Sequence, residues 1–477
     1  MNSSLNAAIC TSLALASCTQ SNKEKPPPNI VFILADDLGY GDLSCYGQQK
    51  FSTPNIDRIA QQGMLFRQHY TGCTVSAPSR SCLMTGLHTG HTPIRGNKGW
   101  QPEGQWPLPG SSVTIAEMLK AKGYSTGAFG KWGLGYIDTE GDPNSQGFDE
   151  FFGYNCQSLA HNYYPDHLWH NHEKILIHEN DSGKTGGYSA DLIHKEALAF
   201  IEQNKGKPFF LFYPTTIPHA ELFAKKDYMD LFRGKYDPEK EFKGTDNGPE
   251  FRQGPYGSQP ESHAAFAGMI KELDDYVGEI LAKLNELGVG MNTIVIFASD
   301  NGPHLEGGAD PDYFNSNGPL KGYKRDVYEG GIRTPLIIKW PGRIKEGSES
   351  DHVSAFWDIF PTLAEITGSS VPDGIDGISF LPELLGKKQL KHEYLYWEFH
   401  EQGGKTAARM GDWKAVKLNV DKGLQGPIEL YNLANDIGET TNVAASQPGI
   451  VKKMVEIMAR EHTPSEVFPF GFELPSP

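Results

Sequence analysis

Four short apolar runs constrain this chain more than any other feature. NIVFIL (29–34), YSTGAF (124–129), PFFLFY (208–213) and TIVIFA (293–298) are rich in β-branched or aromatic residues, of strand length, and bounded by breakers. Helical patterns lie between them. Thr114 and Glu117 form a capping box that opens TIAEMLKAKG, and Gly123 closes it. Over residues 264–287, Met269, Leu273, Val277, Ile280 and Leu284 keep one helical face apolar. Strands that alternate with helices predict an α/β fold whose mostly parallel sheet is covered on both faces.

Each run is followed at once by candidate chemistry: Asp36 and Asp37, then Gly130 and Lys131, then TTIPH with His219, then Asp300 and Asn301. In an open α/β sheet the ligand crevice lies beyond the carboxyl ends of the strands, so these groups are expected to converge. Adjacent carboxylates at the end of a buried strand are costly unless a cation or hydrogen bonds compensate them. Either pair alone also reads as a loop or helix cap. Two pairs after two matching strands favour a metal, and an all-oxygen donor set suits Ca²⁺, or Mg²⁺, rather than Zn²⁺.

The 477 residues, 38% apolar and 21% charged, lie in the globular range and can bury a large core. A formal charge of -16 argues against a nucleic-acid partner, and an anionic substrate would need a local positive site. No run of eighteen apolar residues occurs. Residues 5–18, LNAAICTSLALASC, precede the stiff spacer KEKPPP, and Leu15, Ala16, Ser17 and Cys18 resemble a bacterial lipobox. That resemblance implies lipidation of Cys18, membrane anchoring through it, and an exported lipoprotein of the periplasm or outer membrane of a Gram-negative bacterium. The first ten residues carry no Lys or Arg, so a disordered start is the alternative. Cys45, Cys73, Cys82 and Cys156 would remain, an even number that permits disulfides. Composition shifts at GKKQLKHE (386–393), and the runs beyond it predict antiparallel strands and a last helix over 449–462. The expected division is 1–28 leader and spacer, 29–386 catalytic domain, and 387–477 α+β subdomain.

NIVFILADDLGYGDL, SAPSRSCLMTG, GYSTGAFGKWGLG, SDNGP, GYKRDVYEGGIRTPLIIKWPG and LYNLANDIGETTN occur in that order. Together they resemble the successive signatures of the formylglycine-dependent sulfatases, from Asn29 onward. The resemblance implies an alkaline-phosphatase-like fold and hydrolysis of a sulfate ester. It implies that Ser76, first residue of S-x-P-S-R, is oxidised to 3-oxoalanine (Cα-formylglycine). The serine form resembles those matured by an oxygen-independent radical enzyme, acting before folding and export. A native serine is a weak nucleophile without an adjacent base. The hydrated aldehyde has one hydroxyl to attack sulfur and a second whose deprotonation releases sulfate. Asp36, Asp37, Asp300 and Asn301, with an oxygen of residue 76, would hold one divalent cation. Arg80, Lys131 and Lys324 would stabilise the diol and sulfate oxygens, and His219 would protonate the leaving alcohol.

One departure stands out. Many relatives read G-K-W-H-L-G, whereas this chain has Gly133 in GKWGLG, in place of a histidine assigned to deprotonating the diol. His161, in the following loop, is the expected substitute. That loop also offers Gln157, Tyr163, Asp166 and His167 to a sulfated saccharide, and His400 and Arg409 are expected to close the pocket. Two other readings stay open: a phosphatase or phosphonate hydrolase of the same superfamily, and a catalytically idle glycan-binding lipoprotein.

Overall fold

A computed structural model describes residues 26–474. The lipobox-like segment and Cys18 lie outside the described residues. Five strands run parallel, side by side, in the order Thr293–Ser299, Asn29–Ala35, Phe209–Pro214, Ser125–Lys131 and Glu150–Tyr154. Four of them are the predicted runs. Leu336–Lys339 and Met64–Phe66 extend one side antiparallel, and Ser348–Ser350 then pairs parallel at that edge. His167–His170 and Glu173–Leu176 extend the other side. The result is a mixed ten-stranded sheet with a parallel centre.

Alternate residues of the central strands feed two separate cores, as the period of two requires. Val31, Ile33, Leu211, Tyr213, Val295 and Phe297 pack on the side of helices Ser189–Asn204 and Ser262–Glu286. Ile30, Phe32, Leu34, Phe210, Phe212 and Ile296 pack on the side of Ser76–Thr85, Ile115–Ala121 and Ile359–Thr367. Full burial of each such side chain contributes about 1.5–3 kcal/mol of transfer free energy. The predicted stripe from Met269 to Leu284 is buried, and both hydrogen bonds of the Thr114–Glu117 capping box are present.

After the expected linker, Leu395–Phe399, Lys405–Met410, Trp413–Leu418 and Ile428–Asn432 form an antiparallel sheet in chain order. Helix Pro448–Glu461 covers one face, packing Met454, Ile457 and Met458 on Tyr396, Ala408 and Leu430. The opposite face, with Trp397, Phe399 and Val416, packs on Tyr70, Cys73, Val75 and Cys82, beneath the segment that carries Ser76. Between the two units the buried Lys414 ammonium lies 2.9 Å from Glu329 and 3.2 Å from Glu439. Cys45, Cys73, Cys82 and Cys156 are free thiols, and the Cys73 thiol donates to the Glu398 carbonyl. Among the described residues no helix is long and apolar enough to cross a membrane.

Candidate active site

The carboxyl ends of the central strands deliver the charged groups to one place. Consecutive strand residues normally face opposite sides, but Asp37 adopts a left-handed φ of 64°, which breaks the alternation just past Ala35. Both carboxylates can then reach the same cluster. Asp36, Asp37 and Asp300 offer oxygens that all lie within 4.8 Å of one another, and all three side chains are fully buried. Ser76 opens helix Ser76–Thr85, where Pro78 is tolerated because a first-turn N–H has no helical partner anyway. Arg80 follows one turn later on the same face.

Three buried cations answer the three acids. The Lys131 ammonium donates to Asp36 at 2.6 Å and to the Ser76 hydroxyl at 3.4 Å. That hydroxyl donates to the other Asp36 oxygen at 3.1 Å. Arg80 donates through Nη2 to Asp300 at 2.8 Å and stands 3.5 Å from Asp36. Lys324 reaches Asp37 at 2.8 Å and Glu306 at 3.5 Å. Its ammonium also lies 3.0 Å from His219 Nε2, while His219 Nδ1 faces the Ala220 carbonyl. Such mutual pairing is what makes so much buried charge tolerable.

The electrostatics follow from burial and neighbours. Burial and the nearby Asp36 charge raise the Asp300 carboxyl. Burial lowers the Lys131 ammonium in spite of Asp36. For Lys324 burial acts downward, but Asp37 and Glu306 outweigh it and lift the ammonium above its usual value. Burial, then Lys324 and Lys131, hold His219 well below the usual imidazole range. The pair is therefore a neutral imidazole beside a firmly charged ammonium.

The donor set fits a hard divalent cation. Asn301 donates its amide N–H to Asp37 at 2.7 Å, yet its Oδ1 is buried without a hydrogen-bond partner among the described residues. A buried carbonyl oxygen left unpaired beside three carboxylates is a coordination position in search of an ion. Asp36, Asp37, Asp300 and Asn301 could hold it with the oxygen of residue 76.

The residues expected to line a substrate pocket divide. His161 stacks on His219 with centroids 4.9 Å apart, and its Nδ1 lies 2.7 Å from the Gly254 carbonyl, which leaves Nε2 as the free ring atom. Burial holds this imidazole down to about 3. Gln157 reaches over Gly133, and its Nε2 has no partner. Tyr163 supports the loop: its single O–H lies within reach of the carbonyls of Thr216 and His219, at 2.8 and 3.0 Å. His167 is taken up by Asp166 and Glu103 at 2.7 and 2.8 Å. His400 pairs with Glu398 at 2.8 Å and stacks on Phe470. Arg409 binds Tyr70 and Gln68 beside a cavity of about 480 Å³ that His352, Glu383 and His392 also line. The side-chain partners of Asp166, His167, His400 and Arg409 thus lie outside the catalytic cluster, because nearer carboxylates and rings satisfy them first.

Sequence reasoning missed Glu306, His304 and Tyr256. Glu306 anchors Lys324 and Arg325, His304 stacks on His219 at 5.4 Å, and Tyr256 packs on His161 at 4.8 Å. The signal for the first two was their place in SDNGPHLE, directly after Asn301. Tyr256 sits in a polar loop without any pattern to mark it.

A buried hydroxyl held between Asp36 and Lys131, at the carboxyl edge of a parallel sheet, fits a hydrolase of anionic esters. The family model described as Sulfatase matches residues 28–369, and that of N-sulphoglucosamine sulphohydrolase, C-terminal, matches 322–463. N-acetylgalactosamine-6-sulfatase of Homo sapiens is 33% identical over 470 residues, covering 94% of this chain and 82% of the relative. N-acetylgalactosamine-6-O-sulfatase of Bacteroides thetaiotaomicron is 29% identical, covering 93% and 96%. The solved structure of Ps i-CgsB superposes with a TM-score of 0.76 at 30% identity, covering 91% and 92%. The chain belongs to the type I, formylglycine-dependent sulfatase family. It is a sulfuric ester hydrolase on the alkaline-phosphatase-like fold.

Proposed function

We propose that the protein removes sulfate from a saccharide sulfate ester, using a formylglycine made from Ser76 and one divalent cation, Ca²⁺ or Mg²⁺. The saccharide part rests on the relatives named as N-acetylgalactosamine 6-sulfatases. The observation that carries the reading is the Ser76 hydroxyl fixed between Asp36 and Lys131, with the unpaired Asn301 oxygen close by.

The hydrated aldehyde would supply an attacking hydroxyl and a second one to release sulfate, and the cation would align it with a sulfate oxygen. Lys131 and Asp36 hold residue 76 in place, and Arg80 and Lys131 meet the negative charge that grows on the sulfate oxygens. Lys324 keeps its proton in contact with His219 Nε2, so this pair faces the departing alkoxide with a proton to give. His161 presents a free Nε2 beside His219 and is the base we assign to the release step. Water exclusion comes from the burial of the whole cluster.

A two-metal phosphatase is disfavoured by Lys324. Its ammonium bridges Asp37 and Glu306, at the acidic position that a second ion would need. We assign maturation to a radical-generating enzyme that oxidises Ser76 by two electrons and two protons, and the burial of this serine, 1% exposed, supports modification before the chain folds. Export and lipid attachment at Cys18 belong to the same proposal.

Two measurements on one preparation test it. The tryptic peptide 68–80 of active protein should lack two hydrogens at position 76, and aryl sulfate should be cleaved in preference to aryl phosphate. Active protein with only intact serine, or faster phosphate cleavage, would overturn the reading.

A further inference from the structure

The space beside Gly133 is filled, although Gly133 has no side chain. Its φ is 76°, and a Cβ added there would meet Gln157 Nε2 at 2.3 Å and Arg80 Cδ at 3.9 Å. The Gln157 amide therefore lies in the position that a side chain at 133 would take, next to the arginine that holds Asp300 and Asp36. Gln157 is 9% exposed, and its Nε2 is buried with no hydrogen-bond partner among the described residues. Both side-chain polar atoms of the nearby Asn155 are also buried and unpartnered, while the Asn155 carbonyl accepts from the Gly133 N–H at 3.0 Å. The segment is not loose. Gln157 N–H donates to Gln105 Oε1 at 3.1 Å, which pins the backbone that aims the amide. Buried donors are left unpaired in folded proteins only rarely, and each one calls for an explanation such as a functional role.

We infer that Gln157 is a sulfate-binding residue of this enzyme, whose side-chain N–H₂ donates to an oxygen of the substrate's sulfate group from the place left open at Gly133. The inference rests on the proposed sulfate-ester chemistry and adds a contact to it. An amide is a donor with no basic nitrogen, so Gln157 binds the anion and takes no proton. Gly133 and Gln157 then form one unit: the absence of a Cβ at 133 is what admits the amide, and the left-handed φ keeps other residues out.

The test uses the full chain in its serine form, with calcium present, titrated with sodium sulfate by calorimetry. Wild type is expected to bind sulfate, and Gln157→Ala to bind it about tenfold more weakly, the size of one hydrogen bond to an anion. Gln157→Glu keeps the shape but removes the donor, so it should lose at least as much. Melting temperatures without sulfate should stay close to wild type in both variants. If both variants bind sulfate as wild type does, this inference falls while the proposed function stands. If Gln157→Ala melts lower and Gln157→Glu still binds normally, the amide is structural and the inference falls. If wild type itself binds no sulfate, the inference falls, and the mass at position 76 with the aryl sulfate assay decides the proposed function separately.

Discussion

The indole N–H of Trp397 donates to the Thr71 carbonyl across 2.9 Å, which ties the C-terminal sheet to the loop that leads to Ser76. Trp397 is fully buried in the cluster containing Tyr70, Cys73 and Val75. Trp397→Ala should lower stability by about 3–5 kcal/mol through the cavity it leaves. Trp397→Phe keeps most of the packing and should lose about 1 kcal/mol for the hydrogen bond. Urea midpoints compare the two. Equal losses would mean that packing there matters little.

Lys414 holds Glu329 and Glu439 together with no solvent access. Lys414→Met leaves the buried Glu439 carboxylate without its cation, while Glu329 keeps Arg333 at 3.2 Å, and a loss of roughly 3–5 kcal/mol is expected. Since Glu329 belongs to the catalytic unit and Lys414 to the C-terminal sheet, the variant should also make thermal unfolding less cooperative. A single unshifted calorimetric peak would contradict this.

Calcium should stabilise the wild-type protein, by about 2.7 kcal/mol when present at a hundredfold excess over its dissociation constant. Asn301→Ala removes the unpaired oxygen and should shrink that shift, and Asp300→Asn should do the same. Melting curves with calcium and with a chelator give the answer. A full calcium shift in both variants would remove these residues from the ion site.

His161→Ala should cut turnover about a hundredfold, at the lower end of what general acid–base groups contribute. The free Nε2 beside His219 motivates the prediction. A product burst followed by slow steady turnover is expected, because release is the impaired step. Unchanged kcat on a true substrate would eliminate His161.

Acid should destabilise the fold through His69, which is fully buried and bonded to Ser354 at 2.9 Å. Burial lowers its imidazole from 6.5 to about 3. Between those values the unfolded chain binds a proton that the folded one does not. Stability from this group is therefore complete above pH 6.5 and falls as pH drops toward 3, by at most about 1.4 kcal/mol per pH unit. In His69→Gln the stability curve should be flatter over that window, and an unchanged slope would assign the acid sensitivity elsewhere.

The parallel centre of the sheet was legible because its strands are continuous apolar runs, and the helices because their stripes have a clear period. The edge strands were not, since Met64–Phe66 and Ser348–Ser350 are three residues long and are defined by their partners. The convergence of the acidic cluster was legible for a similar reason: Asp36, Asp37, Asp300 and Asn301 end two strands that lie side by side. Partner choice among polar side chains was the part that local pattern could not reveal. His167 goes to Glu103 and Arg409 to Tyr70 because those groups happen to be nearest in space, at separations that no periodicity reports.

The pairing of Lys131 with Asp36 and of Lys324 with Asp37 has a thermodynamic consequence. A cation that takes up those carboxylate oxygens competes with the ammonium groups and leaves their charge available to an anion. In the proposed site cation and sulfate would then be linked ligands, each raising the other's affinity by the same factor. Under the proposed chemistry, sulfate measured without the cation, or the cation without sulfate, would report the weaker site.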